Sequence, residues 1–273
     1  MTNTENTNRN ESIVNEDKGT KDNGVEVKEG EIGRLTIFKK SEVLFNLDRA
    51  RSSIRKTREV ILMEGFMDVL AASQVGVQNA VATMGTSLTK EHVTKLKRLV
   101  QKIIICYDGD NAGFEAAKRA AEMLYAEQMN VEIVVLPDQL DPDDFIKKYG
   151  QQSFVQMVEK PQSYMSFMMM YAKRNKNLQF ENDTLQYIQE VLEHLVGRSS
   201  PIERDLYIKE LANETKISEE AIYAQFRKLD VDYVKNYKRA EQKNKTIARK
   251  SLVASKFINE GENLTCKNVT MKR

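Results

Sequence analysis

Lys102-Ile103-Ile104-Ile105-Cys106-Tyr107-Asp108-Gly109-Asp110 is an apolar, β-branched run that ends in an acidic turn. Forty-three residues earlier Glu59-Val60-Ile61-Leu62-Met63 ends in Glu64-Gly65 in the same way. Neither run alternates polar with apolar residues, so each reads as a strand buried on both faces, the pattern of a parallel sheet. Asn79-Ala80-Val81-Ala82 and residues 131–136 read as two more strands. Between them lie helical spacings at 66–75, at 88–99 with Thr89 as its N-cap, and at the Ala-rich stretch 111–128. Strands alternating with helices indicate βαβ units whose sheet is covered on both faces.

Outward from this array the pattern changes. Residues 151 to about 229 read as helices: an apolar stretch from Ser153 to Tyr171, then 184–195, 201–215, and 221–229 opened by Ser218 as a cap. Met168-Met169-Met170 reads as core filling. Residues 1 to about 30 have almost no apolar content and are expected to be disordered, since they bury too little to offset ordering entropy. Lys235, Lys238, Arg239, Lys243, Lys245, Arg249 and Lys250 make a basic segment, either a solvated linker or a phosphate-binding one.

Composition excludes several classes. The chain is 41% hydrophobic and 30% charged, which fits a soluble globular protein of the cytoplasm. A net charge of +2 decides nothing, because an acidic site cancels basic residues that touch phosphate. Cys106 and Cys266 form no CxxC pair, and His92 and His194 lie far apart, so disulfide, zinc and histidine-metal chemistry are not expected. No apolar run approaches membrane-spanning length.

Ligands of open parallel sheets bind at the carboxyl ends of the strands. Glu64 ends the first strand, Asp108 and Asp110 the third, and Asp141 and Asp143 lie in the loop after the fourth. Five carboxylates gathered there would repel unless cations neutralise them. Hard oxygen donors suit magnesium or manganese, and magnesium borrows phosphate oxygens. Gly65 and Gly109 are expected to allow tight turns that aim the carboxylates outward. A lone Asp-x-Asp is commonly a solvated turn. Glu-Gly followed by Asp-x-Asp, each directly after an apolar strand, is far more specific.

Glu64-Gly65-Phe66-Met67-Asp68, Val81-Ala82-Thr83-Met84-Gly85-Thr86, Tyr107-Asp108-Gly109-Asp110 and Leu136-Pro137-Asp138 through Asp141-Pro142-Asp143-Asp144 resemble the TOPRIM region of bacterial DnaG-type primases. The likeness also takes in Ile37-Phe38-Lys39-Lys40 and Leu44-Phe45-Asn46-Leu47, and spans roughly residues 35 to 229. It implies a TOPRIM-type α/β fold, a mostly parallel sheet flanked by helices, over 58–150, then an α-helical subdomain over 151–230. It further implies a primosomal nucleotidyltransferase that makes RNA primers on single-stranded DNA from ribonucleoside triphosphates. By the same resemblance Glu64, Asp108 and Asp110 are the central catalytic and metal-binding acids, joined by Asp141 and Asp143. Asp68 matches a further acid near the metals, or is a helix-capping Asp. Lys40 matches a basic residue on the nucleic-acid or nucleotide path, or is a surface lysine.

Against the family, 1–34 reads as an unrelated tail and 35–57 as the remnant of a larger N-terminal half. The family's zinc domain and a complete domain for binding the replicative helicase are expected to be missing. Residues 231–273 read as a basic linker followed by a tail resembling the start of the SAF domain of sialic acid synthases. Two other readings stay open: a non-catalytic or composite fragment that binds metal and nucleic acid without priming, and a TOPRIM nuclease.

Overall fold

The computed structural model describes residues 40–197, 199–251, 253–254 and 269–270. The expected tail over 1–34, residues 35–39 of the 35–57 stretch and most of the SAF-like tail lie outside the described residues. Helix α1 (Leu47–Thr57) leads into β1 (Glu59–Met63), α2 (Phe66–Gln74), β2 (Ala80–Ala82), α3 (Lys90–Leu99), β3 (Lys102–Cys106), α4 (Asn111–Ala126) and β4 (Asn130–Val134). Then follow α5 (Pro142–Tyr149), α6 (Gln151–Glu159), β5 (Gln162–Ser163), α7 (Tyr164–Lys173), α8 (Glu181–Leu195), α9 (Pro201–Thr215) and α10 (Glu219–Ser251).

The sheet runs β2-β1-β3-β4-β5. Its first four strands are parallel, and β5 is antiparallel to β4. This is the doubly covered α/β sheet that the apolar runs predict. Alternate residues face opposite ways. Val60, Leu62, Ile103, Ile105, Val131 and Ile133 pack with α3, α4 and the later helices. Ile61, Met63, Ile104, Cys106 and Val134 pack with α2, α5 and α6. Two cores therefore sandwich one sheet, and the continuous apolar runs are the sequence record of that. Lys102 on β3 bridges Glu59 of β1 and Glu132 of β4, at 2.8 and 3.2 Å. These pairs tie the strand starts in register.

Three expectations change. The stretch 153–171 is two helices parted by β5, because Pro161 lacks the N–H that would continue α6. Ser163 then accepts from the Ser166 amide and caps α7. The acids after β4 do not lie in a loop: Asp141 is the N-cap of α5 and Asp143 sits in its first turn. The last helix does not end near 229, since α10 continues through the basic segment to Ser251. Its residues 231–244 are exposed.

Helix α7 seats the later helices on the sheet. Phe167 lies 4.9 Å from Phe114 of α4, and Tyr164 stacks on Tyr125 at 3.9 Å. Met168 and Met169 are buried, as core filling requires. His92 is fully buried in α3, with Nδ1 at the Thr89 amide and Nε2 at the Val43 carbonyl. It holds the chain together before α1.

Candidate metal centre

Strands β1 and β3 are direct neighbours and parallel, so the residues that follow them leave the same edge of the sheet. Glu64 follows β1; Asp108 and Asp110 follow β3. Asp68 reaches this edge from the first turn of α2, and Asp141 and Asp143 reach it from α5.

The acids feel one another. Burial pushes the Glu64 carboxyl up to about 7, with further pushes from Asp108, Asp110 and Asp68. Burial likewise raises Asp68 to about 6; Asp108, Asp141 and Asp143 add to it, while the Gly65 amide opposes it. Asp108 is raised by burial first, then by Asp141 and Asp110. All six predicted acids thus share one electrostatic field.

Their side chains do not close on a common point. Among the described residues no three of them converge as a ready-made metal cage. Local hydrogen bonds account for the spread. Asp110 caps α4 by accepting from the Gly113 amide at 2.7 Å, and Asp141 caps α5 through the Asp144 amide at 2.7 Å. Asp68 accepts from the Gly65 amide at 3.1 Å, and Asp143 pairs with Lys147 at 2.7 Å. The capping reading of Asp68 is therefore met in the structure, but the residue is also buried among the other acids.

Glu64 differs from the rest. Its Oε1 is buried and accepts no hydrogen bond. An orphaned buried carboxylate oxygen is costly, and a cation offsets that cost. The donor set is all carboxylate oxygen, which fits a hard divalent ion. Residues and ion are therefore compatible.

The glycines serve the site through space, not through unusual φ. A Cβ on Gly109 would meet the Leu136 carbonyl oxygen at 2.6 Å. A Cβ on Gly113 would meet the Asp108 carbonyl oxygen at 2.3 Å. Gly113 escaped the sequence reading; its one signal is a glycine in the first turn of an Ala-rich helix, where propensity disfavours it. Arg119 escaped too. It stands on α4 and pulls the Glu64 carboxyl downward. Lys40 opens the short 3-10 turn Lys40–Glu42, next to Ser41, whose carbonyl accepts from Thr89 at the start of α3.

The chain is similar to known proteins over about two thirds of its length. A Toprim-like family matches residues 61–146, and a family described as the DnaB-helicase binding domain of primase matches 165–220. The second match shows that a segment of the helicase-binding description is present in the chain, where a complete domain is expected to be missing. The DNA primase of Enterococcus faecalis is 43% identical over 196 residues, covering 71% of this chain and 31% of that protein. That of Geobacillus stearothermophilus is 44% identical over 189 residues, covering 69% of this chain and 32% of its own. The chain thus spans about a third of the curated relatives it matches. A DNA primase domain from Pseudomonas aeruginosa superposes with a TM-score of 0.56 at 30% identity, over 70% of this chain and 61% of that one. The RNA polymerase domain of Mycobacterium tuberculosis primase DnaG, in complex with a double-stranded DNA oligomer with a 6-nucleotide overhang, gives 0.55 at 30% identity, over 65% and 57%. With primase relatives 43% and 44% identical over about 70% of its length and a Toprim-like match inside that span, the chain belongs to the bacterial DnaG-type DNA primase family.

Proposed function

We propose that the acidic edge is the nucleotidyl-transfer centre of a primase, joining ribonucleotides on a single-stranded DNA template. The observation that carries this reading is the orphaned, buried Glu64 Oε1 amid Asp68, Asp108 and Asp110. An all-carboxylate oxygen donor set suits a hard divalent cation. Glu64, Asp108 and Asp110 would hold the ion, magnesium or manganese, with Asp68, Asp141 and Asp143 as its outer acids. Once bound, it supplies charge neutralisation for a triphosphate and screening of the charge that develops as a primer 3′-hydroxyl attacks.

The chain's own residues set the conditions. Near neutral pH Glu64 carries a proton in part of the population, so ion binding competes with that proton. The caps on Asp110 and Asp141 fix one oxygen of each and leave the other to the site. Lys40 is assigned to the nucleic-acid or nucleotide path on resemblance alone. Helices α7 to α9, matched to the helicase-binding description, are the region through which a replicative helicase would be engaged.

The domain division follows: 58–150 as catalytic domain, 151–230 as helical subdomain. The test is primer synthesis from ribonucleotides on single-stranded DNA with Mg2+ or Mn2+, run beside calorimetric Mn2+ titration. Parent activity lost in Asp108→Asn together with Mn2+ binding supports the assignment. Mn2+ binding by Asp108→Asn equal to the parent's would overturn it.

A further inference from the structure

Residues 83–88 and α4 stand apart and leave a cleft of about 380 Å³ with Glu64 in its wall. That volume falls in the ~300–1,000 Å³ range of small-molecule sites. Thr86, Ser87 and Leu88 line it from one side, and Ala112, Ala116 and Arg119 from the other. The loop side is firmly placed. Met84 and Gly85 take left-handed backbone conformations, with φ of 58° and 71°, and both donate their amides to the Glu64 carbonyl, at 3.1 and 3.4 Å. The Thr86 hydroxyl donates back to the Thr83 carbonyl at 2.8 Å. The width of the cleft is thereby tied to the residue that follows β1.

The two sides of the cleft offer two chemistries. The α4 wall carries only methyl groups at 112 and 116, so a flat ring or a sugar can approach the helix closely. Arg119, one turn along, is exposed, and among the described residues it makes no ion pair. A guanidinium left in that state is a ready two-pronged donor for phosphate. A ligand that joins an apolar or aromatic body to a phosphate, next to a cation-holding acid, is a nucleotide.

We propose that this cleft is a nucleotide subsite, with Arg119 binding a phosphate and the Ala112–Ala116 surface and Leu88 taking the nucleoside. The inference rests on the nucleotidyl-transfer reading of the acidic edge and adds the residues that seat the nucleotide beside it. The unit can arrive as a free nucleotide or as the terminal residue of a strand.

The experiment titrates the parent chain, Arg119→Gln, Arg119→Lys and Ala116→Leu with Mn2+, and then, in Mn2+, with adenosine monophosphate and with a short single-stranded oligonucleotide. Arg119 is exposed, so its variants keep the fold and carry the test should the cleft-filling Ala116→Leu not fold. Arg119→Gln is expected to bind one of the two ligands roughly tenfold more weakly or worse, the scale of a lost charge-assisted hydrogen bond. Arg119→Lys is expected to recover part of that loss. Mn2+ affinity should be unchanged or slightly tighter. A loss confined to the free nucleotide assigns the cleft to the incoming substrate, and one confined to the oligonucleotide assigns it to the strand end. Unchanged affinity for both ligands in Arg119→Gln, with Mn2+ still bound, overturns the subsite and leaves the acidic edge standing. A parent chain that does not bind Mn2+ sinks the acidic edge, and the subsite with it.

Discussion

Replacing Asp108 with Asn should make the metal-free protein more stable, and the structure gives the size of the effect. Asp108 is the leading charged neighbour of both Glu64 and Asp68. The rise of Glu64 from 4.5 to about 7 corresponds to roughly 3 kcal/mol at ~1.4 kcal/mol per pH unit. Burial causes the largest part, and burial survives the substitution. The remainder is shared among three acids and reduced by solvent, since Glu64 is partly exposed. About 0.5 kcal/mol is then relieved at Glu64, and a similar amount at Asp68. The gain is about 1 kcal/mol, or ~2–4 °C in melting temperature for a domain of this size.

The pH dependence has a definite sign. A carboxyl with a raised folded-state value binds a proton in the folded protein where the unfolded chain has lost it. Stability from Glu64 is therefore full below about pH 4.5 and declines as pH rises through about 7. The advantage of Asp108→Asn should grow across that window and vanish below it. Thermal unfolding in chelator from pH 4 to 8 reads this directly. Added Mn2+ should reverse the order, raising the parent more than the variant. Equal pH slopes for the two proteins would refute a shared field among these acids.

Three further outcomes follow from packing. Gly113→Ala should cost more than about 2 kcal/mol and weaken Mn2+ binding, because its methyl enters the Asp108 carbonyl; denaturant unfolding and calorimetry measure the two effects. Phe167→Ala should destabilise by about 3–5 kcal/mol, as a fully buried ring that joins α7 to α4, and should loosen the later helices in hydrogen exchange before the sheet. Thr89→Ala should cost about 1 kcal/mol in chemical denaturation, since its hydroxyl accepts from the His92 amide at 3.1 Å.

Much of this protein is legible in its residues. The runs 59–63 and 102–106 can only be strands covered on both faces, because no alternate position is polar enough to meet water. Period-2 burial then separates Val60 and Leu62 from Ile61 and Met63, and strand ends followed by Glu-Gly and Asp-x-Asp mark the functional edge. Thr89 and Ser218 announce their helices by capping chemistry that is local in the chain. Other features depended on contacts between residues far apart. That β1 lies against β3 and not only β2 brings Glu64 to Asp108, and sheet order is not encoded in either strand alone. The need for glycine at 109 and 113 comes from the Leu136 and Asp108 carbonyls packed against them, not from φ. Arg119 reads as one more helix-surface cation until the fold sets it across a cleft from Glu64. Local chemistry decides what each segment is, and long-range packing alone decides which segments meet.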